Sequence, residues 1–313
     1  MVTIYLNHPI EAKTLKPKST VIALGYFDGV HAGHQKVMRT AKRIAEKLGT
    51  TVSVMTFHPH PKEVLRKLDK EMKYITPLSD KIEKIECIGV DTLYVVNFTP
   101  SFAKLTPQQF VDEYLIGLNA VHVVAGFDFT YGALGKGTME TLPFHARAKF
   151  ESTIVEKVEE DDEKVSSTKI RELLLTGKVD KIPPYLGELY SIQGTVIDGD
   201  KRGRTIGFPT ANIQPNDRYI IPKIGVYAVR MRVNGVYYEG VCNVGYKPTF
   251  RQEKETPTIE VHLFSFNEMI YGESVKVEWH SFLRDEKKFE SVDKLVEQLT
   301  IDKQQAIAFF EEE

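Results

Sequence analysis

The 313-residue chain has the composition of an ordinary globular protein, with 42% hydrophobic and 27% charged residues, which is too apolar for a disordered chain. At about 150 residues per domain, its length predicts two domains. It carries 41 Lys and Arg against 43 Asp and Glu, a net charge of −2, and so lacks the basic excess of a dedicated nucleic-acid binder. No apolar run approaches the ~18–20 residues that span a membrane.

The two cysteines, Cys87 and Cys242, are far apart in the sequence and show no metal-ligand spacing, so a disulfide framework is not expected. The first ten residues lack the basic and apolar segments of a signal peptide. We therefore expect a cytoplasmic protein that binds neither nucleic acid nor membrane. The sequence leaves the oligomeric state open.

Up to about residue 185, short apolar runs alternate with helical stretches. Strands are predicted at residues 20–25, 51–57, 92–98, 121–125 and 152–158. Helices are predicted at residues 32–48, at 79–88, from a capping box formed by Thr106 and Gln109, and at 167–175. Such alternation predicts an α/β fold with a mainly parallel sheet. The nearly continuous apolar strands indicate that both faces of this sheet are covered.

The pattern changes after Pro183-Pro184, a pair that stiffens the chain and predicts a boundary between a domain at residues 1–182 and another at 183–313. Strands are predicted at residues 191–196, 225–233, 236–244, 258–264 and 274–282, followed by a helix at 292–310. Asn234-Gly235 is a strong hairpin signal. This all-β half therefore predicts a small antiparallel β-barrel or sandwich with a closing C-terminal helix. The acidic run at 159–163 predicts a solvated loop.

A glycine-containing turn at residues 25–34, Gly-Tyr-Phe-Asp-Gly-Val-His-Ala-Gly-His, follows the first predicted strand and leads into the first long helix. Ligands of open parallel sheets bind at the carboxyl ends of strands, and a helix N-terminus favours phosphate. His31 and His34 are three residues apart and share one helix face. Two imidazole N–H groups can hold the charge that develops during phosphoryl transfer. The alternative is a pair of surface histidines, which the strand-turn-helix context disfavours.

Three hydroxyl side chains begin the later helix, those of Ser166, Ser167 and Thr168. They either cap the helix or bind a nucleotide phosphate, with Arg171 one turn further as a charged clamp. Two other segments follow predicted strands. The histidines of residues 57–61 are weak candidates for metal ligands, because no carboxylate accompanies them. The aromatic side chains of residues 126–132 stack either on a flat ligand or in the core.

In the all-β half, residues 194–212 are rich in glycine and in basic side chains, a composition that suits a polyphosphate. Thr210 and Asn212 are two residues apart, so in an extended chain they share a face. Their hydroxyl and amide oxygens suit Mg²⁺. The alternative is a polar hairpin in which both side chains make local turn bonds.

Glu260 alternates with apolar residues in a predicted strand and shares a face with Thr258 and His262. That face is either solvent-exposed or carries Glu260 as a general base for a hydroxyl substrate. The segments at residues 243–250 and 282–286 resemble binding loops at strand ends.

Together these motifs resemble the bacterial bifunctional riboflavin kinase/FAD synthetase family over essentially the full chain. In the first half they are the turn at 25–34, Phe-His-Pro-His-Pro at 57–61, Gly-Phe-Asp-Phe at 126–129 and Ser-Ser-Thr-Lys-Ile-Arg at 166–171. In the second half they are Gly-Arg-Thr-Ile-Gly-Phe-Pro-Thr-Ala-Asn at 203–212, Gly-Val-Tyr at 225–227, Asn-Val-Gly-Tyr-Lys-Pro-Thr-Phe at 243–250, Glu260, and 283–289. All occur in the family's order.

The resemblance implies a Rossmann-like nucleotidyltransferase domain followed by a riboflavin kinase barrel. The barrel would transfer a phosphoryl group from ATP to riboflavin, giving FMN, and the first domain would join FMN to AMP from ATP, giving FAD and pyrophosphate. Both reactions would use Mg²⁺.

The resemblance also implies site residues. The catalytic set for adenylyl transfer would be His31, His34, Ser167, Thr168 and Arg171. Glu260 would be the base of the kinase, and Thr210 and Asn212 would hold Mg²⁺. The ligand-binding positions would be Gly25, Phe27, Asp28, Gly33, Phe57, His60, Gly126, Asp128, Ser166, Gly199, Lys201, Gly203, Arg204, Pro209, Asn243, Arg284, Asp285 and Glu286.

Two positions depart from the family, which usually has Arg where this chain has Thr130 and Lys169. Because Lys cannot reproduce a bidentate guanidinium contact, the departure predicts a weaker adenylyltransferase, with a kinase that has lost FAD synthesis as the extreme case. Two other classes stay open. The chain is either another enzyme with a His-x-Gly-His motif, such as a tRNA-synthetase-like protein, or a flavin-binding regulatory protein. The Pro-Thr-Ala-Asn segment argues against the first class, and the intact catalytic positions against the second.

Overall fold

A computed structural model of the protein describes residues 1–10, 17–65, 71–160, 163–199, 202–246 and 257–313. The chain forms two compact units, unit 1 at Met1–Ser167 and unit 2 at Thr168–Glu313. The two family domains expected from the sequence meet at residues 182 and 183, and that boundary stays a prediction.

Unit 1 contains a parallel sheet with helices and two short ribbons. Its strands are β1 Val2–Leu6, β2 Thr20–Leu24, β3 Thr51–His58, β4 Thr92–Asn97, β5 Ala120–Gly126, β6 Thr130–Tyr131, β7 Gly137–Thr138, β8 Glu151–Val155, β9 Glu159–Glu160 and β10 Glu163–Lys164. Its helices are α1 Ala32–Leu48, α2 Pro61–Leu65, α3 Leu78–Ile88, α4 Pro107–Phe110 continued by a π-helical stretch at Val111–Ile116, and α5 Leu142–Ala146, with 3₁₀ turns at Phe102–Lys104 and Ala133–Gly135.

The sheet has the strand order β1-β4-β3-β2-β5-β8, and every neighbouring pair is parallel. From β2 the chain steps outward to β3 and β4, and then returns to the other side of β2 with β5. In open α/β sheets this reversal leaves a crevice at the carboxyl ends of the two flanking strands, where ligands bind. The topology therefore directs attention to the ends of β2 and β5.

Both faces of this sheet are covered, as the apolar strands predict. In β2, Ile22 and Leu24 belong to one buried cluster, whereas Val21 and Ala23 belong to the other. Helix α1 packs on the second face and spans the predicted residues 32–48. Strand β1 at the edge of the sheet was not predicted. The acidic run forms part of the β9–β10 ribbon where a loop was expected.

Unit 2 contains an antiparallel barrel. Its strands are β11 Ser191–Ile197, β12 Ala211–Pro215, β13 Gly225–Val233, β14 Val236–Gly245, β15 Thr258–Leu263 and β16 Ser274–Arg284. Its helices are α6 Ser167–Thr176, which begins at the last residue of unit 1, α7 Pro183–Leu186, α8 Arg202–Thr205 and α9 Val292–Glu312, with a 3₁₀ turn at Val179–Lys181. The strand order β11-β12-β15-β14-β13-β16 is closed. The structure therefore confirms a barrel with a C-terminal helix, and not a sandwich.

The barrel buries side chains on both sides of its wall. Tyr227 and Cys242 are completely buried and alternate with the neighbouring outward positions. On the outside, Val226 packs against Ala306 and Phe310 of α9, so the helix covers one stretch of the outer face. Burial raises the pKa of the Cys242 thiol, which makes this cysteine inert as a nucleophile.

Candidate active sites

The turn between β2 and α1 has a strained backbone. Phe27 and Val30 have φ of 57° and 47°, and Gly29 has φ of 91°. Positive φ at two residues other than glycine is costly and persists only where the surroundings impose it. The ring of Phe27 fills the space that a Cβ at Gly25 would need, so this glycine is required by the close approach of the ring. The turn thus holds the first residues of α1 next to the carboxyl end of β2.

His31 and His34 form a stacked pair at the start of α1. His31 is the N-cap, and its Nδ1 accepts the backbone N–H of His34 at 3.3 Å. The ring centroids are 3.5 Å apart, with an interplanar angle of 18°. Gly33 leaves room for this arrangement, because a Cβ there would lie 3.2 Å from the His31 ring. The two imidazoles share one face, as their spacing predicts.

Both histidines are neutral at pH 7. Burial lowers the pKa of His31 to about 4. Burial also lowers the pKa of His34 far below its ordinary value, and the neighbouring His31 and Lys81 lower it further. Because Nδ1 of His31 accepts a hydrogen bond, its proton is on Nε2. Nδ1 of His34 is buried without a hydrogen-bond partner among the described residues. The pair therefore offers uncharged N–H donors to a ligand.

Asp28 fixes the turn to two other segments. Its carboxylate Oδ1 accepts the backbone N–H groups of Ile75 and Thr76 at 3.0 and 3.1 Å. Its backbone carbonyl accepts the hydroxyl of Ser167 at 2.8 Å. Asp28 is 3% exposed. The turn at residues 25–34 is hereafter called the histidine turn. These contacts bring Ser167, predicted from a separate motif, to the histidine turn.

Asp128, which follows β5, forms an ion pair with Lys164 at 2.7 Å, and the Lys164 ammonium lies 4.5 Å from the ring centroid of Phe127. Both charges act on the pKa of His31, Lys164 lowering it and Asp128 raising it. The end of β5, including Gly126, therefore lies near the histidine turn, where the strand order predicts a ligand site.

The remaining unit 1 positions differ in exposure. Phe57 is buried in the core against Phe98 and Phe102. The His60 ring contacts Tyr26 edge-on at 4.1 Å between centroids. Ser166 is half-buried. Thr130, one of the departures from the family, is exposed in the β6–β7 ribbon.

Thr168, Lys169 and Arg171 lie on α6 in unit 2. Their alignment with the histidines stays a prediction. Lys169 is the second departure from the family, and its Nζ lies 3.8 Å from Oε1 of Glu172.

Sequence reasoning missed Lys81, a buried residue of α3 that contacts the histidine turn. A signal was present, because Lys81 lies four residues before the buried Ile85 and so falls on the apolar face of its helix.

In unit 2, three polar residues form a row across neighbouring strands. Asn212 of β12 is paired with Glu260 of β15, and Glu260 is paired with Asn243 of β14. Directly opposed residues of antiparallel strands share a face with Cβ atoms about 5 Å apart. All three are half-buried, whereas Ile259 and Val261 on either side of Glu260 are buried in the barrel. The row is hereafter called the polar row.

The glycine-rich segment approaches the polar row. The side chain of Asn212 fills the space that a Cβ at Gly199 would need, and Oγ1 of Thr210 lies 3.6 Å from the corresponding position at Gly203. Thr210 immediately precedes β12, and the carbonyl of the preceding residue, Pro209, contacts Nδ1 of His262 at 2.8 Å. Lys201 lies outside the described residues.

Arg204 of the same segment is exposed. It donates a hydrogen bond to the hydroxyl of Tyr271 at 3.2 Å.

The end of β16 and the residues that follow it approach β14 next to Asn243. Arg284 binds Asp302 of α9 through two bonds of 2.7 and 2.6 Å. Asp285 forms an ion pair with Lys223 at 2.6 Å. Glu286 reaches over Gly245, where a Cβ would lie 2.6 Å from its carboxylate. Residues 247–250, also expected to bind ligand, lie outside the described residues.

The donors of this site suit Mg²⁺. Thr210 and Asn212 supply a hydroxyl and an amide oxygen, hard ligands of the kind that this ion prefers. Within the described ranges, no group of three or more His, Cys, Asp or Glu side chains could hold a metal ion. Magnesium held by a few protein oxygens and by substrate phosphates fits the residues present.

The first site lies at the end of a strand of unit 1, and the second lies across the strands of unit 2. Together they define a two-unit transferase that acts on phosphate compounds. A family model for FAD synthetase matches residues 13–169, and one for riboflavin kinase matches residues 186–310. The bifunctional riboflavin kinase/FMN adenylyltransferase of Bacillus subtilis is 55% identical over 99% of this chain and 98% of its own length. Those of Listeria monocytogenes and Escherichia coli K12 are 49% and 34% identical, over 99% and 93% of this chain and 98% and 92% of their own lengths.

The chain belongs to the bifunctional riboflavin kinase/FMN adenylyltransferase family. It has an FAD synthetase domain and a riboflavin kinase domain, and it is an enzyme of flavin-cofactor synthesis. A crystal structure titled macrolide-efflux protein from Streptococcus pneumoniae has the same fold, with a TM-score of 0.88 and 39% identity over 96% of this chain and 97% of that one. Throughout the described part of this chain, no helix has the length and hydrophobicity needed to cross a bilayer.

Proposed function

We propose that the two reactions take place at two separate sites. Adenylyl transfer from ATP to FMN is assigned to the turn that holds His31 and His34, and phosphoryl transfer from ATP to riboflavin to the polar row of Asn212, Glu260 and Asn243. The observation that carries this assignment is that each compact unit holds its own set of half-buried or buried polar groups.

In adenylyl transfer, a phosphate oxygen of FMN attacks the α-phosphorus of ATP, and pyrophosphate leaves. The Nε2–H of His31 and the imidazole of His34 donate to the oxygens on which negative charge develops. The N-terminus of α1 adds partial positive charge at the same point. Ser167, whose hydroxyl donates to the backbone carbonyl of Asp28, binds a phosphate beside the histidines.

In riboflavin phosphorylation, the 5′-hydroxyl oxygen attacks the γ-phosphorus of ATP, and ADP leaves. Glu260 accepts the hydroxyl proton. Thr210 and Asn212 would hold Mg²⁺, which when bound would supply positive charge to the phosphates. Asn243, the neighbour of Glu260 in the row, orients the hydroxyl group. Residues 199–204 cover the phosphates.

The flavin is held by the segment after β16. Because the guanidinium of Arg284 is bound by Asp302, Arg284 holds the start of this segment, and Asp285 and Glu286 meet the flavin. Glycine at position 245 allows the Glu286 carboxylate to approach Asn243.

A complementation experiment tests the separation of the sites. A His34→Ala chain and a Glu260→Gln chain are each incubated with riboflavin, ATP and Mg²⁺, alone and mixed, and the flavins are separated by chromatography. We expect His34→Ala to accumulate FMN, Glu260→Gln to leave riboflavin unchanged, and the mixture to produce FAD from FMN released into solution.

Supplied FMN provides the matched control, because Glu260→Gln should convert it to FAD at the wild-type rate. A mixture that makes no FAD, together with a Glu260→Gln chain that cannot use supplied FMN, would show that the two reactions share essential groups.

A further inference from the structure

Lys81 is a buried cation that touches the histidine turn. It lies in the first turn of α3 and is 2% exposed. Its ammonium donates to the backbone carbonyl of Tyr26 at 2.8 Å and lies 4.3 Å from the ring centroid of the same residue. Both contacts are therefore made to a residue of the turn that leads to His31.

The Tyr26 carbonyl does not depend on Lys81 for its hydrogen bond. It also accepts the hydroxyl of Thr56 at 2.8 Å. An uncharged side chain of similar length would fill the same space and leave this carbonyl bonded. A requirement for backbone hydrogen bonding therefore does not explain why an ammonium group is buried here.

Burying this charge destabilises the protein. Burial lowers the pKa of Lys81 to about 8, although the carboxylate of Asp28 opposes the shift. A net decrease means that the surroundings favour the neutral amine more than water does. Charged groups retained at such a cost cluster at functional sites.

The charge of Lys81 acts on His34, one member of the histidine pair. It is one of the causes that lower the pKa of His34, after burial and the neighbouring His31. His34 thus remains neutral next to a fixed positive charge. In a water-excluded site such a charge needs no reorganisation when negative charge develops nearby.

We propose that Lys81 is a positioning residue for adenylyl transfer, a fixed positive charge against the turn that adds to the burial of His34 in favouring its neutral N–H form and attracts the negative charge developing on the phosphate. Lys81 does not touch the substrate and acts through Tyr26 and His34. This inference rests on the assignment of adenylyl transfer to the histidine turn.

The test compares Lys81→Met with Lys42→Met in the full chain. Lys42 of α1 also donates to a backbone carbonyl, that of Ile88 at 3.0 Å, at the far end of α3. We expect Lys81→Met to lower kcat/KM for FMN adenylylation about 10- to 100-fold without lowering the melting temperature. Riboflavin phosphorylation by the same chain, the internal reference for folding, should stay unchanged. Lys42→Met should lower the melting temperature and leave adenylylation unchanged.

Two further measurements separate charge from structure. Lys81→Gln keeps a donor for the Tyr26 carbonyl but removes the charge, so it should lose adenylylation as Lys81→Met does. In NMR titrations of ¹⁵N-labelled histidine, the pKa of His34 should rise in both variants. Wild-type adenylylation should fall above about pH 8, where Lys81 loses its proton, and neither variant should show that decline. Tyr26, Asp28 and His34, which face Lys81, are unchanged in both.

Wild-type adenylylation by Lys81→Gln would overturn the proposal, because the hydrogen bond alone would then suffice. The proposal would also be overturned if Lys81→Met lowered the melting temperature and both activities together. An unimpaired adenylylation in His34→Ala would instead overturn the assignment of the reaction to this turn, which makes the two failures distinguishable.

Discussion

The two sites differ in how the chain assembles them. The histidine turn comes from one contiguous stretch, whose positive φ angles and stacked rings set the geometry locally. The polar row draws Asn212, Glu260 and Asn243 from three strands that only the barrel register brings side by side. A slip of one residue in β15 would turn Glu260 into the barrel interior. The geometry of the histidine pair thus depends on one local turn, whereas the geometry of the polar row depends on the pairing register of several strands.

The two sites also differ in charge. The histidine turn buries titratable groups whose pKa is shifted toward the neutral form. The polar row is half-buried and carries a carboxylate. Variants at each site should therefore separate by reaction and by response to pH.

The largest effect is expected for Glu260→Gln. The amide keeps the shape of the side chain but cannot accept the riboflavin proton, so phosphorylation should fall about 10²- to 10⁴-fold. Initial rates with riboflavin and, separately, with supplied FMN measure this effect. Adenylylation of FMN should not change, and an equal loss of both rates would contradict a kinase-specific base.

A similar separation in the opposite direction is expected for His31→Ala. Loss of the imidazole donor should lower adenylylation about 10²- to 10³-fold, while riboflavin phosphorylation persists. Because His31 also caps α1, His31→Asn is the control, since asparagine is a good N-cap without an imidazole. Recovery of adenylylation in His31→Asn would show that capping alone accounts for the loss.

Asp302→Leu should destabilise unit 2 without involving unit 1. It leaves the Arg284 guanidinium, whose side chain is 14% exposed, without its carboxylate, which costs at most about 3–5 kcal/mol. The chain has a single tryptophan, Trp279, which is completely buried in the barrel, so its fluorescence during urea unfolding follows unit 2. The double variant Arg284→Met/Asp302→Leu should recover most of the loss. No recovery would mean that the pair is not the source of the effect.

The smallest effect concerns the pH dependence of unit 1. His31 ordinarily titrates near 6.5, and burial lowers its pKa to about 4, so the unfolded chain binds a proton that the folded chain does not. The contribution to stability is complete above pH 6.5 and decreases as the pH falls toward 4, by about 2 kcal/mol at pH 5. Urea unfolding followed by circular dichroism should show this decrease, and His31→Gln should reduce it. An unchanged slope in that variant would assign the effect to other groups.

Much of the fold was predictable because local signals were strong. Helix α1 spans the predicted residues, and Gly49, with φ of 62°, ends it. Strand β12 was missed because its sequence, Ala-Asn-Ile-Gln-Pro, contains a single large apolar residue, Ile213. Pairing with β11 and β15 makes it a strand, and the local sequence does not predict that pairing.

The sites were predictable to the extent that their motifs are contiguous. Glu260 was open to a solvent-face interpretation, because its neighbour in the row, Asn243, is far away in sequence. Asp302 was missed because it lies in a helix rich in charged residues, where tertiary packing decides which charge is buried. Lys81 was missed although its spacing from Ile85 placed it on the apolar face of its helix.

The barrel of unit 2 closes between its first and last strands, since β11 pairs with β16 from Ser191 opposite Glu278 to Thr195 opposite Ser274. The polypeptide therefore enters and leaves the ring at one seam, and the ring needs no neighbouring strand to satisfy its backbone. Because its first and last strands are adjacent, such a barrel forms a self-contained unit. This closure gives a physical reason why a kinase domain of this kind can be joined to, or separated from, another domain during evolution.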